Sequence, residues 1–276
     1  MIRLLKIEFR KILTYKIFWI LTGLYFLFLG LGIFMAEFIL NQWVNDFNRH
    51  FPIPMPHVTL YFFPDVWQNL TFFASIRYVL IFPALVVIIL ITNEYTNKTI
   101  RQNIVNGMSK QDFLLSKLQF ILLFSIIVTL ALGIVIFFLG LSHSDAQQLD
   151  MMGKKFMFLP GFFIQILCYM IFAFFFGFLL KHTGLAIALF TLYTLIIEPV
   201  IYYILKIPFF QPNHISPYLP VNSVLRIVEY PAIPFLQKFM GITMQSTVSI
   251  WHCGISLLYA AVMIGIVFWL LIRKDL

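Results

Sequence analysis

An all-α integral membrane protein with six transmembrane helices is the fold class the sequence predicts, on three observations. Of 276 residues, 61% are hydrophobic and only 11% are charged, where a soluble domain carries about 25% charged residues. The mean hydropathy is +0.94. The hydrophobicity lies in continuous runs rather than in alternating strands, which argues for helices and against a transmembrane barrel. Six of these runs reach the ~20 residues that a spanning helix needs. Too few polar residues exist to coat a soluble core or to keep the chain disordered.

The runs fall at 17–39, 70–92, 118–141, 157–180, 184–205 and 250–272. Residues 1–16 precede the first. Ile2, Leu5, Phe9, Ile12 and Leu13 share one helical face, and Arg3, Lys6 and Arg10 cluster on another. This predicts an amphipathic helix lying in the membrane interface. Between spans two and three, residues 93–117 form a polar connection. Spans four and five are separated only by Lys181-His182-Thr183, which predicts a tight antiparallel pair. Residues 40–69 and 206–249 hold ten of the thirteen prolines. The second of these segments still contains apolar pieces, Val221–Val228 and Phe235–Ile242, each too short to span. They fit re-entrant half-helices or an amphipathic cap on the outer face. No linker or composition shift divides the chain, so residues 1–276 read as a single transmembrane domain.

The net charge of +8 is a statement about topology rather than about nucleic acid. Twelve Lys and Arg residues collect on the side that carries residues 1–16, 93–117, 181–183 and 273–274. Six are spread over the longer connections on the other side, and Arg77 lies inside a span. The bias places both termini in the cytoplasm and the chain in the cell (inner, cytoplasmic) membrane. The 206–249 segment is then external.

Chemistry-bearing motifs are missing. No G-x-x-x-x-G-K-[ST] phosphate cradle, H-E-x-x-H or G-x-S-x-G is present. The six histidines have no His, Cys or carboxylate at ligand spacing, so no metal site is expected. Cys168 and Cys253 sit in apolar runs and suggest no disulfide framework. Ser256 and His252 lie one turn apart on span six, without an orienting carboxylate, and read as packing residues. No catalytic residue and no cofactor are assigned to this chain.

The 93–117 connection carries the most specific pattern. Asn106-Gly107 supplies a left-handed helix stop, and Ser109 with Asp112 resembles a capping box for the third span. A polar helix held between two spans is a handle that a cytoplasmic partner could push; the plainer reading is a solvated loop. Glu94, Thr99-Ile100, the Asn-Gly turn, Ser109-Lys110, Phe113-Leu114 and Lys117 together resemble the motif of ABC-2 type permeases, the membrane subunits of ABC exporters. Lys98 stands where that family usually has Gly, and Lys110 where Arg is common. The order of parts is similar along the whole chain, and Leu219-Pro220-Val221-Asn222-Ser223 resembles a Leu-Pro-rich external element.

The resemblance implies a permease that pairs with a second permease copy, identical or related, and docks two cytoplasmic ABC ATPase subunits. ATP and Mg would bind those partners, and this chain would not be an enzyme by itself. Glu94, Thr99, Arg101, Gln102 and Gly107 are the implied ATPase-coupling residues. Spans two and five would line the pathway, which makes Pro83 and Pro199 candidate hinges, since each removes an intrahelical hydrogen bond. Independently, Arg77 and Glu198 lie at matched depths, each about 12 Å inside the outer boundary. Buried ionisable groups seek partners, so an ion pair between them is expected. Two other classes remain open: a membrane-embedded enzyme, and a non-transporting receptor or assembly subunit.

Overall fold

The computed structural model describes residues 12–50, 57–97, 99, 102, 107–206, 215–231 and 245–273. Among these residues every regular element is helical. Six helices are long and apolar enough to cross a membrane. We label them with two shorter helices in chain order: α1 (Lys16–His50), α2 (Val66–Ala74), α3 (Arg77–Thr96), α4 (Lys110–His143), α5 (Phe158–Leu180), α6 (Thr183–Lys206), α7 (Pro220–Leu225) and α8 (Ile250–Arg273). The two ends of the bundle are named here for Lys181 and Asp65, which lie at opposite ends.

α5 is the centre. Its sequence is apolar on every side, so it has no single outward face and is packed from all directions. It lies against α3, α4, α6 and α8. In lipid, helix association relies on close packing rather than on hydrophobic drive. Gly177 provides it: a Cβ there would sit 3.4 Å from the backbone of Ile88 on α3. Aromatic rings fill the seam between α5 and α6. Tyr169 and Phe176 meet Phe190 edge-on, and Phe172 leans on Tyr193.

α1 is peripheral: it packs Tyr25, Leu29 and Ile33 into the main core, which includes α3, and Ala36 and Val44 against Val58 and Leu60. It runs eleven residues beyond the apolar limit at 39, to His50. Asn41 braces that extension by holding the backbone of Val58 through both N–H and C=O, at 2.7 and 2.9 Å. Half-buried Glu37 accepts the Leu60 N–H at 3.2 Å.

The second expected span is two helices. Residues 70–76 do not continue into α3; the chain breaks at Ser75-Ile76, where Ile76 turns extended at ψ 131°. The reason is polar. Ser75 Oγ donates to Gln165 Oε1 at 2.9 Å on α5, and α2 is a buried half-helix among α1, α4 and α5. Arg77 is therefore the first residue of α3 rather than a residue deep within a helix.

Turn chemistry follows the sequence. Lys181 takes a left-handed φ of 55° and ends α5, and the His182 ring accepts the Leu185 N–H to start α6. Gly107 has φ +92°, a value that residues with a Cβ rarely adopt. Ser109 Oγ then accepts the Asp112 N–H at 3.0 Å at the start of α4. Hydroxyls inside the helices return to their own backbone: Thr92, Ser125, Thr129 and Thr194 each bond the carbonyl four residues back. This satisfies groups that have no water to turn to. The interfacial helix expected over 1–16 lies outside the described residues up to position 11; residues 12–14 are helical.

Candidate functional site

Among the described residues, two of the polar clusters in the apolar interior lie toward the two ends of α3. At the Lys181 end, Glu94 on the last turn of α3 meets Lys117 on α4, with Oε1 2.6 Å from Nζ. Their side chains are 2% and 5% exposed, so this ion pair is removed from water. Lys117 also lies over the Phe113 ring. One turn back, Thr92 Oγ1 receives the Thr183 hydroxyl at 2.8 Å, which ties α3 to the start of α6. Lys181 stands over the Tyr95 ring at 5.1 Å. The end of α3 is thus bonded to α4, to the α5–α6 turn and to α6. The 97–109 connection leaves from it.

Of the residues expected on that connection, Glu94 is buried at its start, bonded to Lys117. Thr99 Oγ1 lies 3.4 Å from the Glu94 carbonyl, and Gln102 is exposed. Gly107 forms the turn. Arg101 lies outside the described residues. Lys110 reaches the Ile272 carbonyl at 3.2 Å, so the start of α4 also holds the end of α8.

The second cluster lies toward the Asp65 end. Arg77 and Glu198 reach it from α3 and α6, but the expected direct pair is corrected. Among the described residues no salt bridge joins them. Arg77 donates through Nη1 to the Thr194 carbonyl and through Nη2 to Asn222 Oδ1 at 3.2 Å. Glu198, fully buried, accepts the N–H groups of Val221 and Asn222 at 3.1 and 2.5 Å. These amides belong to the first turn of α7, whose free N–H groups need acceptors. A carboxylate at a helix start satisfies them and suits the dipole. α7 thus meets both charges, with Asn222 common to the two, and Arg77 reaches α6 as well through Thr194.

Pro199 adjoins a π-helical turn, Tyr193–Ile197, on α6. Pro83 is buried within continuous α-helix on α3. The two prolines thus sit in different surroundings. His252 Nδ1 meets Ser249 Oγ at 2.7 Å and Ser256 meets Ser223 at 3.3 Å, so each has its own partner. Among the described residues no three His, Cys, Asp or Glu side chains are placed to hold a metal. A cavity of about 230 Å³ opens at the Asp65 end between Glu37, Tyr61, His143 and Asp145. Burial raises the Tyr61 phenol above its ordinary pKa.

Three partners escaped the sequence reading: Lys117 for Glu94, Thr183 for Thr92, and Asn222 for both membrane charges. The first had a signal. Glu94 and Lys117 are almost equidistant from Asn106-Gly107, so a hairpin closing there brings them level. The other two had none, because a hydroxyl or amide at a helix seam looks like any other polar residue.

Fold and clusters together define a multi-pass α-helical membrane protein with a polar hub at each end of its third helix. No protein-family model matches the chain, and no curated protein matches it.

Proposed function

We propose that the chain is the permease subunit of an ABC exporter of the ABC-2 type, moving its substrate across the cell membrane with energy from a separate cytoplasmic ATPase. The observation that carries this reading is the way both ends of the 97–109 connection are fastened. Glu94 and Lys117 clamp α3 to α4 immediately behind it, and Gly107 with the Ser109 cap sets the return. A solvated loop has no need of a buried ion pair at its root. A lever does, because a push on the connection then moves α3 and α4 together and reaches α6 through Thr92–Thr183. In this reading the Lys181 end is cytoplasmic, the functional unit holds two permease copies, and Arg101, Gln102 and Thr99 meet the ATPase.

The test is affinity purification of the tagged chain in mild detergent after photolabelling with an azido-ATP probe. A labelled ATPase should co-purify. It should be lost with Arg101→Glu, which reverses charge, and with Gly107→Val, because a β-branched residue resists positive φ. A folded wild-type chain that brings down no ATP-labelled partner would overturn the proposal.

A further inference from the structure

In an α-helix the carbonyl of residue i takes the N–H of i+4, and in a π-turn that of i+5. Within α6 the Glu198 N–H goes to Tyr193, the π pattern. The Thr194 carbonyl has two possible helical donors. One is the Glu198 N–H, already engaged. The other would be the N–H of residue 199, which is proline and has none. The orphaned carbonyl is the one that Arg77 occupies. The other arm of Arg77 holds Asn222 on α7, and α7 is capped by Glu198, which directly follows the π-turn. Three helices therefore close one circuit through a single irregular turn. The circuit is not fully satisfied: Asn222 Nδ2 is buried without a hydrogen-bond partner among the described residues. That cost falls on the observed position of α7.

We propose that Arg77, the Pro199 π-turn and Glu198 form a latch that holds α7 as a closed outer gate. Arg77 is the positioning residue of this latch: it senses the turn in α6 through the Thr194 carbonyl and passes it to α7 through Asn222. When α6 loses its π-turn, Thr194 no longer needs Arg77, and α7 separates from α8 at the Ser223–Ser256 contact. The role in transport rests on the permease reading; the latch itself does not.

The experiment follows Ser223, which is fully buried. In a chain with Cys168→Ala and Cys253→Ser, Ser223→Cys reports opening through its reaction with a charged methanethiosulfonate added to the purified chain in mild detergent, where both ends of the bundle are reached. Val128→Cys, on the buried face of α4, reports general loosening. Arg77→Leu and Glu198→Gln should each speed modification at 223 by about tenfold, the size of one lost hydrogen bond to a charged group, while 128 stays protected. Pro199→Ala supplies the missing N–H. It should also speed modification, and Arg77→Leu added to it should change the rate less than about twofold, since coupled residues are not additive.

Unchanged labelling at 223 in both charge variants overturns the latch. So does equal acceleration at 128, which is loosening of the whole bundle. So does an Arg77→Leu effect that multiplies undiminished on Pro199→Ala, which would mean that Arg77 does not act through Thr194. Should the leucine variant not fold, Arg77→Lys replaces it: one ammonium cannot span both acceptors, and its rate should fall between wild type and Glu198→Gln. No nucleotide or partner is present. A chain that binds no ATPase can still show the latch, and a failed latch leaves the permease proposal standing.

Discussion

Removing one member of the Glu94–Lys117 pair should be far worse than removing both. The atoms are 2.6 Å apart and the side chains 5% exposed or less, so removing either one takes a close countercharge from a group held out of water. Breaking such a pair costs about 3–5 kcal/mol, whereas replacing both members with apolar groups of similar volume is near neutral. Lys117→Met should therefore lower the melting temperature by roughly 6–20 °C, taking about 2–4 °C per kcal/mol for a chain of this size. Glu94→Met should behave similarly. The double variant should recover most of the loss. The assay is thermal unfolding in one detergent, followed by fluorescence-detected size exclusion, for wild type, both singles and the double. A double-mutant loss equal to the sum of the singles would refute the argument, since groups that do not interact add. Recovered stability combined with loss of the co-purifying ATPase would place the pair in the lever, because fold and coupling would then separate.

Two further outcomes follow from packing and from hydrogen bonding. A Cβ on Gly140 would sit 2.4 Å from the ring of fully buried Phe63, so Gly140→Ala should destabilise by about 1–3 kcal/mol; Gly254→Ala, with nothing within 4 Å, should not, and equal melting temperatures for the two would show that Phe63 moves freely. Buried Gln68 donates to the carbonyls of Tyr230 and Gln245 and accepts from Lys155 at 2.8 Å; Gln68→Leu removes all three hydrogen bonds at about 0.5–1.5 kcal/mol each and should lower the melting temperature, whereas an unchanged melting temperature would mean that this network adds nothing to stability.

The sequence by itself determined the bundle. Continuous apolar runs of sufficient length specify spanning helices with no tertiary input, because an unpaired backbone amide in lipid is too costly for any other conformation. It also determined the Lys181 turn and the left-handed Gly107, since each depends only on residue spacing or local φ. Hydropathy marked where α1 leaves the apolar layer, whereas its helix continues to His50 past Asn41, which grips Val58.

The tertiary structure decided how each buried polar group is satisfied. The second span breaks at Ser75, which bonds Gln165 on another helix. Arg77 and Glu198 do not pair because α7 offers an amide side chain to one and two backbone N–H groups to the other. The Thr194 carbonyl is an acceptor only because Pro199 and the π-turn deny it a helical donor. A hydrogen bond in a dry interior goes to whichever unsatisfied partner the packing brings within reach, and that partner stands elsewhere in the chain, at a distance that no local pattern encodes.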